Sequence, residues 1–389
     1  MKKNYGITIY TVFLIFCFFK TYSQSVDKIT EVNTFITKWN ELKSISYDTE
    51  IIEKAIFSED TTEYKEQVYL IFNSENVLIA SKECIDTEEW NRTNYYNGEK
   101  TYFLNNDQMT YSIGKRNNPQ HKFFGRAGII DSISYSLLNN PTKIQLLSDT
   151  LIDGVQRSYF KFIKYEKKKS LETFFTHSFI AFDKKDLSPV FFMEIGKGEA
   201  SVEGKSLGVI NVFSKTKFLN VQKDRLKYDI ANFSPPVTAS LEIDEDNELL
   251  KKGDANPSWQ MTSLDGTHFN SNSFVGKNTL LFLTVTDCPA NQLSIKTINS
   301  IVDRFGKKIK VIGIYDEKEE RLKKYINKNP LKFPVIANGK DLKLQYNATG
   351  SPYYYLIDRN GMVFYSELGY TDQLEEKLTK NIDSMLSSK

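Results

Sequence analysis

Residues 279–291 read Thr-Leu-Leu-Phe-Leu-Thr-Val-Thr-Asp-Cys-Pro-Ala-Asn, an apolar run that passes straight into Cys288 and Pro289. A helical pattern follows over 292–305. A cysteine at such a strand-to-helix turn faces unpaired backbone N–H groups and the positive end of the helix dipole, both of which favour a thiolate. A thiolate can attack a disulfide and form a mixed disulfide. A second cysteine three residues on would release that intermediate internally, but Asn291 stands there. Asp287 opposes the thiolate with its charge, and no Lys or Arg lies between it and Lys296. The candidate site is therefore Cys288 with Thr286, Asp287, Pro289 and Asn291 around it. Three readings stay open: a monothiol that exchanges with disulfides, a cysteine oxidised by peroxide to a sulfenic acid, or an inert remnant.

The elements that must position this thiol follow from the apolar pattern. Leu280 to Thr286 is apolar almost throughout, as in a strand covered on both faces. Pro289 suits a first helical position, and Leu293, Ile295, Ile298, Ile301, Val302 and Phe305 mark one helix face that Gly306 stops. Lys310 to Tyr315 reads as a second buried strand and Glu317 to Lys328 as a helix. The Glu317–Lys324 charge run reads as a solvated face of that helix. Phe333 to Ala337 is a short strand, while Tyr353–Ile357 and Met362–Glu367 flank Asp358-Arg359-Asn360-Gly361, a hairpin signal. Leu374 to Leu386 closes the chain as an amphipathic helix.

This order resembles the thioredoxin fold of the TlpA-like and AhpC/TSA (redoxin, peroxiredoxin) branch, over residues 253–389. The fragments that carry the resemblance are Gly253-Asp-Ala-Asn-Pro257-Ser-Trp259, Leu264-Asp265-Gly266, Gly276-Lys277-Asn278, Thr349-Gly350-Ser351-Pro352 and Tyr355 to Gly361. The resemblance implies a cis-proline at Pro352 beside the nucleophile, with Ser351 and Pro352 docking an incoming peptide. Cys288-Pro289 is similar to the glutaredoxin-type variant of the motif. Peroxiredoxins carry a proline seven residues and a threonine three residues before their cysteine. Leu281 and Val285 stand there, so peroxidase activity is not expected. TlpA-like proteins usually carry tryptophan where this chain has Asp287.

The first half of the chain has a different pattern. A helix is expected over Lys28–Leu42, then short alternating runs at Gln67–Phe72, Thr101–Leu104, Arg157–Tyr165, Pro189–Ile195 and Val209–Phe213. Tyr95 to Tyr102 reads as a hairpin about Asn97-Gly98. The expected fold is α+β, a curved antiparallel half-barrel with the helix against its concave face. Residues 28–235 resemble the LolA-like lipoprotein carriers, on the Tyr-Tyr-Asn-Gly-Glu-Lys hairpin and the late run Phe179 to Val190. That resemblance implies an apolar ligand in the concave face; the plain alternative is that the aromatic residues fill a β core.

A chain of 389 residues is too long for one ordinary core. The expected organisation is a signal peptide at 1–23, a LolA-like β domain at 24–240, a linker at 241–253 and an α/β thioredoxin-like domain at 254–389. Lys2 and Lys3 before the apolar run Ile7–Phe19 mark the signal peptide, with Cys17 inside that run. An exported, periplasmic, soluble protein with no membrane span after cleavage follows. A formal net charge of +2 argues against nucleic acid as a partner. Cys84 and Cys288 are expected as independent thiols, and His121, His177 and His268 are scattered without metal-ligand spacing. No cofactor or metal is expected. The function expected is thiol–disulfide exchange with thiol- or disulfide-bearing protein clients. The alternative is a non-catalytic binding protein with an apolar ligand in its first domain.

Overall fold

The computed structural model describes residues 30–57, 60–75, 77–88, 90–114, 144–169, 171–202, 204–242, 248–348 and 350–388. The expected signal peptide, Cys17, His121, most of the acidic linker run and Thr349 lie outside those residues. Among the described residues no helix is long and apolar enough to cross a membrane. The chain divides into two compact units, one within Met1–Glu53, Thr62–Lys197 and Val212–Ile243, the other within Lys54–Thr61, Gly198–Asn211 and Asp244–Lys389.

The first unit is built on one large, mostly antiparallel sheet. From Ser44–Lys54 the strands Thr61–Phe72, Leu78–Asp86, Asn91–Tyr96, Thr101–Asn105 and Thr110–Ile113 follow in sequence order to one side. On the other side Ser44–Lys54 pairs with Lys205–Lys223, and Pro189–Val202, Glu172–Phe182 and Val155–Lys169 continue the sheet. The Tyr95–Tyr102 hairpin forms with those two residues paired across it. Each expected strand run falls inside an observed strand, and each observed strand is longer. Ladder hydrogen bonds carry the strand through polar residues that the alternation rule leaves out.

Residues 30–40 are helical, and Val32, Phe35, Ile36 and Trp39 join Val68, Leu70, Phe72, Phe160, Ile180 and Phe182 in one core. Phe35 stacks on Phe182 at 4.5 Å between centroids. Further along the face that carries Val68 and Leu70 lie two buried carboxyl groups, Glu66 and Glu83. Burial, with Glu83 nearby, pushes the Glu66 carboxyl up to about 8. Burial also raises Glu83, against a 2.7 Å hydrogen bond donated by Asn94. The face that carries the apolar core therefore also carries acids.

The second unit follows the expected α/β order more closely. Its elements are β1 (Asn278–Thr284), α1 (Pro289–Phe305), β2 (Ile309–Tyr315), α2 (Glu319–Lys328), β3 (Val335–Ile336), α3 (Lys340–Gln345), β4 (Tyr353–Ile357), β5 (Val363–Leu368) and α4 (Leu374–Ser387). The sheet order is β3-β2-β1-β4-β5, with β1 parallel to β2 and antiparallel to β4. Every residue of β1 is buried because both faces are covered. Leu280 and Phe282 join Ile298, Ile301 and Phe305 of α1 and Leu378 and Ile382 of α4. Leu281 and Leu283 join Trp259, Phe274, Leu342 and Tyr346 on the opposite face.

Four local expectations change. β1 ends at Thr284, two residues early, since Val285 and Thr286 already belong to the turn. α2 begins at Glu319, and Glu317 lies before it. α3, of 6 residues, is too short to show a helical stripe in the sequence. Gly306 ends α1 in a right-handed conformation, so its use is steric: a Cβ there would stand 2.6 Å from the Val302 carbonyl oxygen.

Candidate active site

The site assembles at the C-terminal ends of β1 and β2. Parallel strands in register bring Thr284 opposite Tyr315, so the turn Val285–Cys288 leaves the sheet beside Asp316 and Glu317. In open α/β sheets the crevice outside such strand ends is where ligands bind. Cys288 is the N-cap of α1, with extended backbone (φ −80°, ψ 122°) and Pro289 in the first helical turn. It is half-buried, and Pro289 next to it is exposed. The sulfur thus stands at the positive end of the helix dipole, beside the unpaired N–H groups of that turn.

Ser351 comes from the segment before β4 and meets the thiol directly. The Cys288 Sγ–H donates to the Ser351 carbonyl oxygen at 3.6 Å. The Ser351 hydroxyl is fixed in turn by Thr284 Oγ1 at 2.9 Å and by the Val285 N–H at 3.2 Å. The Ser351–Pro352 bond is cis, Pro352 is buried, and its carbonyl oxygen accepts from the Gly369 N–H. Cys288, Ser351 and Pro352 are thus neighbours in space, though 63 residues separate the first two in sequence.

The remaining motif residues form a polar floor. Thr286 is buried and donates both its N–H (2.6 Å) and its hydroxyl (2.8 Å) to Glu317 Oε1. Burial raises the Glu317 carboxyl above its ordinary range, opposed by those Thr286 bonds and by the Arg321 charge. Asn291 is fully buried and donates to the Tyr325 hydroxyl at 2.9 Å, which Gln292 also reaches at 2.7 Å. Gln292 further donates to the Thr286 carbonyl oxygen. Asn291 is therefore a tie between α1 and α2 in the place where a resolving thiol would stand.

Asp287 is not left alone. One carboxylate oxygen pairs with Arg321 Nη2 of α2 at 2.5 Å, and the other accepts from the Phe57 N–H in the segment Lys54–Thr61 of the same unit. The Glu317–Lys324 run is consequently not a uniformly solvated face: Glu317 is buried and the Arg321 side chain is only 25% exposed. Sequence reading missed Glu317, Arg321 and Tyr325. A signal was present, since Glu317 lies two residues beyond the buried strand that ends at Tyr315 and so falls at a strand end.

Cys84 and Cys288 are both free. His177 pairs with Glu166 at 2.8 Å, and among the described residues no cluster of His, Cys, Asp or Glu could hold a metal ion.

Comparison with known proteins places the second unit. The AhpC/TSA family profile matches residues 252–366. Thiol-disulfide oxidoreductase ResA of Bacillus cereus is 28% identical over 138 residues, 34% of this chain and 80% of that protein. Thioredoxin-like protein YneN of Bacillus subtilis is 20% identical over 135 residues, 33% of this chain and 79% of that protein. A solved structure of a putative thiol:disulfide interchange protein DsbE from Chlorobium tepidum is 24% identical, covering 36% of this chain and 99% of that one, with a TM-score of 0.34. Within the second unit, residues 252–366 match the AhpC/TSA family on a thioredoxin-like fold and are similar in sequence to a thiol-disulfide oxidoreductase.

Proposed function

We propose that this protein exchanges disulfides with protein clients outside the cytoplasm through Cys288 acting as a single thiol. The observation that carries the reading is the half-buried sulfur at the N-terminus of α1, held 3.6 Å from the Ser351 carbonyl oxygen. The Cys288 thiolate attacks one sulfur of a client disulfide. A Cys288–client bond forms as the S–S bond breaks, and the other client sulfur leaves as a thiolate. A second thiol, deprotonated, then attacks the bridged client sulfur and frees the Cys288 thiolate. No electrons are lost or gained overall, because one disulfide is exchanged for another. Ser351 and Pro352 border the sulfur and dock the client strand.

Asn291 leaves the second step to an external thiol, so mixed disulfides accumulate when that thiol is scarce. The experiment is trapping: the oxidised client is mixed with wild-type protein and with Cys288→Ser, without added thiol. A covalent adduct that forms with the wild type, reverses on adding dithiothreitol and is absent from Cys288→Ser is expected. Equal adduct in both, or none in either, overturns the reading. Asn291→Cys should then release the adduct without added thiol, since it supplies an internal attacking group.

A further inference from the structure

We infer that Arg321 is a positioning residue for Cys288: by pairing with Asp287 it cancels the charge that stands next to the thiolate in the chain. The inference rests on the monothiol reading and extends it to a residue 33 positions away, on a different helix. Asp287 directly precedes Cys288, and a like charge so close disfavours a thiolate. A fully solvated ion pair would do little to offset this. Here the Arg321 and Asp287 side chains are 25% and 30% exposed, and the Phe57 N–H holds the second carboxylate oxygen. The pair is thereby confined to one geometry.

The guanidinium is also placed by packing. Leu322 and Tyr325 of α2 are fully buried, and the Tyr325 hydroxyl accepts from Asn291 and Gln292 in the first turns of α1. The helix that carries Arg321 is therefore tied to the helix that Cys288 caps. The departure from a dithiol motif at Asn291 and the carboxylate at Asp287 are met by one element, α2.

The other charged groups around the turn are already committed. Glu317 is held by Thr286 and faces Arg321, with burial favouring its neutral form. Asp316 pairs with Lys343 at 2.9 Å, Lys324 with Asp60 at 2.6 Å and Glu319 with Lys323 at 2.5 Å. Glu320 is exposed, and Lys205 is engaged by Tyr370 and Asp372. Burial raises the Tyr354 hydroxyl of β4, which hydrogen-bonds Ser294. Among these described groups Arg321 is the cation on Asp287.

The test is the pH–rate profile of iodoacetamide alkylation in the full chain, read on the Cys288 peptide by mass. Arg321→Gln should slow labelling at neutral pH about tenfold and move the profile to higher pH, because Asp287 is then unpaired. Arg321→Lys should keep most of the rate, and Asp287→Asn/Arg321→Gln should return to the parental profile. An unchanged profile in Arg321→Gln overturns the inference. So does a double variant as slow as Arg321→Gln, which would mark a purely structural role. If the parental thiol labels no faster than a free cysteine, the monothiol reading fails instead, and the Arg321→Gln shift is still judged against that parent.

Discussion

The two units bury polar groups in opposite ways. In the second unit the central strands β1 and β4 are buried end to end, and the chemistry-bearing side chains Thr286, Cys288, Glu317 and Arg321 gather at the turns beyond the strand ends. In the first unit Glu66 and Glu83 are buried within the strands themselves, on the face that carries Val68 and Leu70. A sheet covered on both faces leaves no place for an unpaired carboxyl group in mid-strand. A broad antiparallel sheet tolerates one where neighbouring strands supply partners, as Asn94 does for Glu83. The difference teaches where to look for a reactive group in each unit: at the strand termini in one, along the sheet face in the other.

The largest expected effect tests whether the two units are separate cores. Phe282 has no exposed surface, stacks on Tyr354 at 5.4 Å and meets Tyr315 and Phe333 edge-on. Phe282→Ala should cost about 3–5 kcal/mol. Peptide-resolved hydrogen exchange should show β1, β2, β4 and β5 losing protection while the large sheet of the first unit keeps it. Loss of protection in both units together would break the comparison.

Next in size is the buried acid of the first unit. The Glu66 carboxyl is raised from 4.5 to about 8, so the folded state holds a proton that the unfolded state has already lost. Stability therefore falls as pH rises between those two values, by up to a few kcal/mol, and is flat on either side. Glu66→Gln should reduce the slope in that window, leaving the part that Glu83 and Glu317, also raised by burial, contribute. Denaturant midpoints measured across the window check this; a slope undiminished by the substitution would assign it to another group.

Smaller still is the tie between α1 and α2. Tyr325→Phe leaves the buried Asn291 amide without its acceptor and should cost about 1–3 kcal/mol. The expected signature is faster amide exchange in the first turns of α1 with the sheet unchanged. Uniform destabilisation of the unit would mean that Tyr325 matters as core volume rather than as a tie.

The apolar runs made the second unit legible, because strands covered on both faces show as continuous stretches and helices as a spaced stripe. Its strand-to-helix turn at Cys288 and the neighbouring position of Pro352 followed from those runs and the family resemblance. The first unit was legible as a mostly-strand sheet, while its strand lengths and its buried acids were not. Glu66 and Glu83 sit in runs whose other residues are mixed, and nothing in composition marks a carboxyl group that loses its water only when neighbouring strands close over it.

Local order along the chain settles a thiol after a strand, a proline at the first turn of a helix and an asparagine in place of a second thiol. Those features depend on residues a few positions apart. Whether Asp287 carries an uncompensated charge depends on Arg321, 34 positions away, and the partner of the thiol itself lies 63 positions away. Only the parallel register of β1 with β2 and the placing of Ser351 beside the turn bring these groups together. Coulomb and hydrogen-bond energies depend on distance in space, which the tertiary fold alone sets.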